Sequence, residues 1–497
     1  MEKKNYIVGI DIGSSNVVMV VGSKNELGKM VIDALVSKPS KGVNAGMVEN
    51  INQVSECVKS VKAEIEEELG IRISEAYAGI SGAFVRCAPL SDHVYVREPQ
   101  NGISQFDVDA LFLRMREVIA PDNEVIMERI PQNYMVDGGL QIKDPVGSFG
   151  RRLSSTFNFI LCEKTPLERV KMVFRLSGLQ LAGTYANSMI VSEAVLSEDE
   201  KTEGVAVVDI GGSTTDVVVY HDNIIRHVAT IPMGANSINR DIHLHGVPER
   251  SVESLKKKYG SAVAEFVSEQ KLIQIPSMGH RTKGVLRRNL AAIIEARLTD
   301  IAEFVKAEIK DSGFAGRLSF GVVLTGGSAS IEHIDELFHR VTGYEVRIAT
   351  AECGLDEQSR SQIESPAHTA AVALLLKGAE QGACSVAAKP MSATLPKPST
   401  TVTPSTMPGM STATPMPTPS SVVTPTATPR QEPSAFTSVQ GNAEPQPESQ
   451  QESQEGAEQG ANTKSAGSKW GWIKGVITGI TEGINTTFDK AGDDEEI

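Results

Sequence analysis

The chain is 497 residues long with a formal net charge of −14, 40% apolar residues and 5 cysteines. That length exceeds what one hydrophobic core supports and predicts two or more domains, while the acidic balance excludes nucleic acid as a partner. The cysteines, Cys57, Cys87, Cys162, Cys353 and Cys384, are scattered without a Cys-x-x-Cys pair, which argues against zinc, disulfides and an oxidising compartment.

The N-terminus passes straight into a strand, without the apolar region of a signal peptide, and no run reaches the 18 or so apolar residues of a membrane span. A cytoplasmic protein is therefore expected. Residues 8–21 read strand, Asp11, Gly13 with Ser14 and Ser15, then a second apolar strand. This is a hairpin with a polar tip, and its glycine and hydroxyls suit a phosphate. Residues 30–36 form a further strand, residues 52–69 an amphipathic helix with Val54, Val58, Val61, Ile65 and Leu69 at helical spacing, and residues 76–82 a strand leading into a turn. From 92 to 161 short strands (93–96 and 157–161), one helix (105–119) and many turn residues predict a small inserted α+β domain. Residues 166–176 return to helix, and a short strand at 183–186 leads into a helix at 188–196.

The hairpin design then repeats at residues 204–220: an apolar β-branched run ends at Asp209, Gly211, Gly212, Ser213, Thr214 and Thr215 follow, and a second apolar run leaves. One Asp-x-Gly hairpin is weak evidence; two in one chain predict similar halves facing each other across a nucleotide. Each half supplies a carboxylate, Asp11 or Asp209, able to hold Mg²⁺ through water. Residues 224–231 form a strand, and helical patterning covers 249–258 and 286–310. A third glycine motif, Gly326, Gly327 and Ser328, sits between a strand and a helix from about 331, and a helix at 367–377 is expected to pack back on the first half.

From 380 to 463 Pro, Thr, Ser, Gln and Glu dominate without periodicity, the composition of a disordered tether. At about 80 residues its root-mean-square reach is on the order of 50 Å. Beyond it lie both tryptophans, Trp470 and Trp472, and Ile473, Val476, Ile477, Ile480, Ile484 and Phe488 fall on one helical face, with Lys469 and Lys474 alongside. Such a helix suits an anionic lipid interface, and it is too polar to span. The acidic end, 493–496, stays in water.

The order of hairpin, insertion, second hairpin and Gly-Gly loop resembles the actin, heat-shock chaperone and sugar-kinase ATPase superfamily, and within it the FtsA family of bacterial cell-division proteins. The resemblance rests on Gly-Ile-Asp-Ile-Gly-Ser-Ser from Gly9, Ile-Ser-Gly from Ile80, Ile-Lys-Asp-Pro-Val-Gly from Ile142, Gly-Arg-Arg-Leu from Gly150, the acidic run after Ala194, Val-Asp-Ile-Gly-Gly from Val208 and Ile-Glu-Ala-Arg from Ile294. It implies an α/β, actin-like two-lobed ATPase fold. Residues 1–91 and 162–203 with a return helix at 366–379 would form the first lobe, 92–161 the insertion for self-assembly, and 204–365 the second lobe with the FtsZ-binding region. Residues 380–463 would be the linker and 464–497 the membrane-targeting helix with its acidic end.

The implied function is an ATP- and Mg-binding, filament-forming adaptor at the cytoplasmic face of the membrane at the division site. It would bind the tail of FtsZ, other copies of itself, anionic lipid and later division proteins. Asp11, Gly13, Ser14 and Ser15 would form the first phosphate loop, Asp209 to Thr215 the second, and Gly326, Gly327 and Ser328 the adenosine loop, with Glu295 and Arg297 bordering the nucleoside. Three departures stand out: Ser213 and Ser328 where glycine is common, and Asn187 where relatives place Gln or Glu to orient the attacking water. The shorter Asn amide implies weak hydrolysis at most. A sugar or acid kinase and a pilus-assembly scaffold of the same superfamily are the alternatives. The kinase needs a substrate-deprotonating Asp and has no use for a lipid helix.

Overall fold

In a computed structural model, the structure describes residues 4–268, 270–276, 282–363 and 365–388. Two five-stranded sheets form its frame. The first runs Gln180–Ala186, Glu75–Ile80, Tyr6–Ile12, Asn16–Lys24, Met30–Pro39, and the second Val346–Ile348, Val322–Thr325, Val205–Ile210, Thr215–His221, Ile224–Ile231. Each is an antiparallel meander of three strands extended, beside its first strand, by two parallel strands that arrive later in the chain. The two halves are thus duplicates in topology, as the repeated hairpins predict. Central strands read as unbroken apolar runs because both sheet faces are covered; Val8, Ile10, Val205, Ala206 and Val208 are fully buried.

Helices cover these faces through apolar stripes. In Ile51–Leu69 the side chains of Val54, Val58, Val61 and Ile65 are buried, Asn50 caps the start by accepting from the Gln53 amide at 3.1 Å, and Gly70 ends the helix at φ +63°. Leu374 and Leu375 of the helix Thr369–Gln381 enter the core of the first sheet, so the chain returns to the first lobe after completing the second.

Inserted within the first lobe's sequence, a four-stranded antiparallel sheet takes the order Gln141–Ile142, Glu124–Val136, Arg152–Glu163, Val85–Tyr95. The helix Gln105–Arg116 packs on it, burying Val108 and Leu111 beside Leu153, and Met115 beside Phe157 and Phe159. Its strands are longer than the sequence suggests, and Glu124–Val136 has no counterpart among the predicted elements. These strands carry polar residues on a half-exposed face, so no apolar run marks their length. The sheet starts at Val85, ahead of the expected boundary at 92, because Val85–Tyr95 pairs along its whole length with Arg152–Glu163.

Other expectations need correction. The ordered body does not stop at 380: the helix runs to Gln381, and Val386–Ala388 pairs with Ile71–Ile73. Backbone pairing orders this short segment despite its weak composition. After Gly326 comes a 3-10 turn, Gly327–Ser330, and the α-helix begins only at Ile334. A hairpin, Leu272–Pro276 with Thr282–Leu286, was not foreseen. Glu200, in the acidic run after Ala194, is buried in an ion pair with Arg347. Among the described residues no helix is long and apolar enough to cross a membrane. The expected tether from 389 on and the helix with Trp470, Trp472, Ile473, Val476, Ile477, Ile480, Ile484, Phe488, Lys469 and Lys474 lie outside the described residues.

Candidate functional site

Both hairpin tips open onto one cavity of about 510 Å³. Asp11, Gly13, Ser14 and Ser15 line it from the first lobe, Asp209, Gly211, Gly212 and Thr214 from the second, and Gly326, Gly327 and Ser328 from the third glycine motif. Strand geometry explains the convergence. Asp11 and Asp209 lie at the C-terminal ends of the first strands of their sheets, where the apolar run stops and the chain turns. The tips touch: a Cβ at Gly212 would overlap the Ser15 hydroxyl.

Four of the predicted residues sit elsewhere. Ser213 accepts from Asn236 Nδ2 at 3.0 Å outside the lining, and the fully buried Thr215 donates to the Met233 carbonyl at 2.8 Å. Glu295 accepts from the Ala264 amide at 2.8 Å. Arg297 is held by Asp241 and Asp300 at 2.8 and 2.9 Å. Neither Glu295 nor Arg297 lines the cavity, because the helix Arg287–Asp311 turns Glu295 toward the Ala264 amide and Arg297 toward Asp241 and Asp300.

Asn187 begins a helix at the cavity wall, and its Nδ2 donates to Asp11 Oδ1 at 3.0 Å. Its own Oδ1 is buried without a hydrogen-bond partner. The amide is therefore spent on fixing one carboxylate oxygen.

Sequence reading missed a third carboxylate. Asp216 lines the cavity and pairs directly across the second hairpin with Asp209. Opposite residues of an antiparallel pair share a face, so a cavity-facing Asp209 implies a cavity-facing Asp216; that register was the available signal. Both its oxygens are satisfied, Oδ1 by the Thr230 hydroxyl at 2.6 Å and Oδ2 by the Ser81 hydroxyl at 2.7 Å. Glu253, Lys256 and Lys257 also line the cavity, from the helix Glu249–Tyr259. Lys256 is buried and paired with Glu253 at 2.8 Å, and desolvation lowers its pKa against that pairing. No local pattern in that helix distinguishes these lysines from solvated ones.

Three carboxylates so close together resist ionisation. Desolvation, with repulsion from Asp216 and Asp11, pushes Asp209 up to about 8. Desolvation raises Asp11 to about 6 against the opposing Asn187 hydrogen bond. Burial raises Asp216 against the bonds from Thr230 and Ser81. A positive charge beside these carboxylates would favour their ionised form, and a hydrated divalent cation fits that donor chemistry next to amide-rich glycine tips. Among the described residues, no three His, Cys, Asp or Glu side chains converge as direct ligands.

Comparison with known proteins gives a consistent picture. A family model described as Cell division protein FtsA matches residues 206–373, and one described as the SHS2 domain inserted in FTSA matches residues 82–161. The chain is 31% identical to Cell division protein FtsA of Escherichia coli K12 over 388 residues, 76% of this chain and 91% of that one. It is 29% identical to that of Pseudomonas aeruginosa over 385 residues, 77% of this chain and 91% of that one. A solved PilM-PilN type IV pilus biogenesis complex superposes with a TM-score of 0.51 at 15% identity, over 75% of this chain and 98% of that one, a likeness of fold alone. The frame is accordingly an actin-like α/β fold with a small inserted domain.

Proposed function

The chain belongs to the FtsA family of cell division proteins, and from that premise we propose that it is an ATP-binding, filament-forming adaptor that fastens an FtsZ ring to the cytoplasmic face of the membrane. One observation carries the nucleotide part: Asp11 and Asp209, from duplicated hairpins of opposite lobes, face the same cavity with the glycine tips and the Gly326 loop. The glycine amides would take the phosphates, and Asp11 and Asp209 would hold Mg²⁺ through its water shell. The cation would supply the positive charge that lets Asp11 and Asp209 ionise beside a polyphosphate. Lys256 and Lys257, with Gly327 and Ser328, would border the nucleoside end.

The role at the membrane rests on the amphipathic pattern of residues 473–488 with Trp470 and Trp472. Contacts of the inserted domain with other copies, binding of the FtsZ tail by the second lobe, and recruitment of later division proteins belong to the same proposal, supported by the likeness to the family. Equilibrium dialysis with Mg·ATP tests the site; failure of the purified chain to retain adenine nucleotide rejects it. Liposome flotation with and without residues 464–497 tests the anchor. The Trp470→Glu, Ile477→Glu double variant should leave the lipid while still binding ATP, and unchanged flotation rejects the interfacial helix. Cosedimentation with FtsZ, with ATP present and absent, tests the adaptor role.

A further inference from the structure

Beside the two phosphate hairpins, on the wall of the same cavity, one side chain crosses from lobe to lobe. Ser81 follows the strand Glu75–Ile80 of the first sheet, and its hydroxyl donates at 2.7 Å to Oδ2 of Asp216 in the second. The same hydroxyl lies 3.3 Å from Thr214 Oγ1, at the second hairpin's tip. Its backbone is fixed equally well. Gly46, at φ +77°, has its Cα against the Ser81 carbonyl so closely that a Cβ would overlap it, and the Gly46 amide donates at 3.4 Å to Ser14 Oγ in the first hairpin. A continuous chain of contacts thus runs from Ser14 through Gly46 and Ser81 to Asp216 and Thr214. It links the two phosphate tips along the cavity wall.

We propose that Ser81 is a positioning residue that ties the lobes together across the cavity floor and thereby slows release of the bound nucleotide. The inference rests on the nucleotide-binding reading above. Asp216 accepts one hydroxyl on each oxygen, and the two donors differ in kind: Thr230 belongs to the same sheet as Asp216, Ser81 to the opposite lobe. Loss of Thr230 removes support for the carboxylate without touching the connection between lobes. Loss of Ser81 removes both. A hydrogen bond to an ionised or ionisable acceptor that must break when the lobes part acts on the dissociation rate, whereas approach of the ligand to an open cleft is indifferent to it.

The test compares the full-length native chain with Ser81→Ala, Ser81→Thr and Thr230→Val, using Mg·ADP with a fluorescent label on its ribose as the probe. Stopped-flow association and displacement are read for each, with thermal melts confirming that the variants fold. Ser81→Ala should speed release about five- to tenfold with association within twofold, the effect of one charge-assisted bond. Ser81→Thr should restore near-native release, and Thr230→Val should stay within about twofold. Equal acceleration by Ser81→Ala and Thr230→Val, or native release from Ser81→Ala, would overturn the cross-lobe tie. A native chain that binds no probe would overturn the nucleotide reading, and this inference with it.

Discussion

The Asp209 carboxylate occupies the space that a side chain at position 326 would need. A Cβ at Gly326 would fall within that carboxylate, and the backbone there, at φ +85° and ψ 166°, is one that only glycine adopts without strain. The loop that follows the fourth strand of the second sheet is thereby brought against the carboxylate at the end of the first, which is how the cavity acquires its third glycine wall. Gly326→Ala should cost about 1–3 kcal/mol in stability and weaken nucleotide binding at least tenfold by displacing Asp209. Urea melts and dialysis read the two effects; native affinity in a folded variant would contradict this geometry.

The raised carboxylates set a pH dependence whose sign is fixed. Asp11 at about 6, Asp209 at about 8 and the raised Asp216 bind protons more tightly folded than unfolded. Their contribution to stability is fully present near pH 4 and is lost as pH rises through 6 to 8. The ligand-free chain should therefore melt several degrees lower at pH 8.5 than at pH 6, and Mg·nucleotide should stabilise it more at the higher pH. Asp209→Asn should flatten the pH profile between 6 and 8.5 and remove the Mg-dependent part of the nucleotide affinity. A ligand-free melting temperature that rises from pH 6 to 8.5 would refute the assignment.

Much of this site is legible in the sequence because its determinants are local. The two hairpins announce themselves through an apolar strand, an aspartate and a glycine tip, and Asp11 and Asp209 meet because the sheets that carry them share a topology. Asp216 was recoverable from hairpin register alone. Ser81, Glu253 and Lys256 were not, since what makes them part of the site is the approach of distant elements. Glu295 and Arg297 mislead for the same reason: a motif places them on a helix but does not say which way each position faces, and here both serve that helix's own neighbours. The inserted sheet was under-read because its strands lack apolar alternation, and the segment Val386–Ala388 because a single backbone pairing outweighs poor composition.

Arg226 is the polar hub between the inserted sheet and the second lobe. Its guanidinium donates to Gln132 Oε1 at 3.2 Å and Asn133 Oδ1 at 3.3 Å on the insert, and to the His221 carbonyl and Asp222 within its own lobe. Asn158 Nδ2 donates in return to the Arg226 carbonyl at 3.0 Å. Arg226→Ala removes the bonds to Gln132 and Asn133 in a junction where Arg226 itself is only 8% exposed, at a cost of about 2–4 kcal/mol. Limited proteolysis should then cut within residues 85–163 earlier than in the native chain, while nucleotide affinity changes little. Equal protection of the insert in both proteins would show that the apolar contacts alone hold it.

The surroundings of Asn187 predict slow hydrolysis. An amide that orients an attacking water must keep its polar atoms free for that water, whereas Asn187 commits its Nδ2 to Asp11 at 3.0 Å and buries its Oδ1 against Gly79. Asparagine is one methylene shorter than glutamine and reaches correspondingly less far into the cavity. Single-turnover cleavage of ATP by the native chain should be on the order of 10⁻³ s⁻¹ or slower, the range of nucleotide hydrolases whose water is poorly held. Asn187→Ala should change the rate of cleavage by less than about threefold, because a residue that does not act on water leaves little to lose. Asn187→Gln places an amide one bond further into the cavity and should raise the rate at least tenfold. A fast native reaction abolished by Asn187→Ala would make Asn187 the water-orienting group and reverse this conclusion.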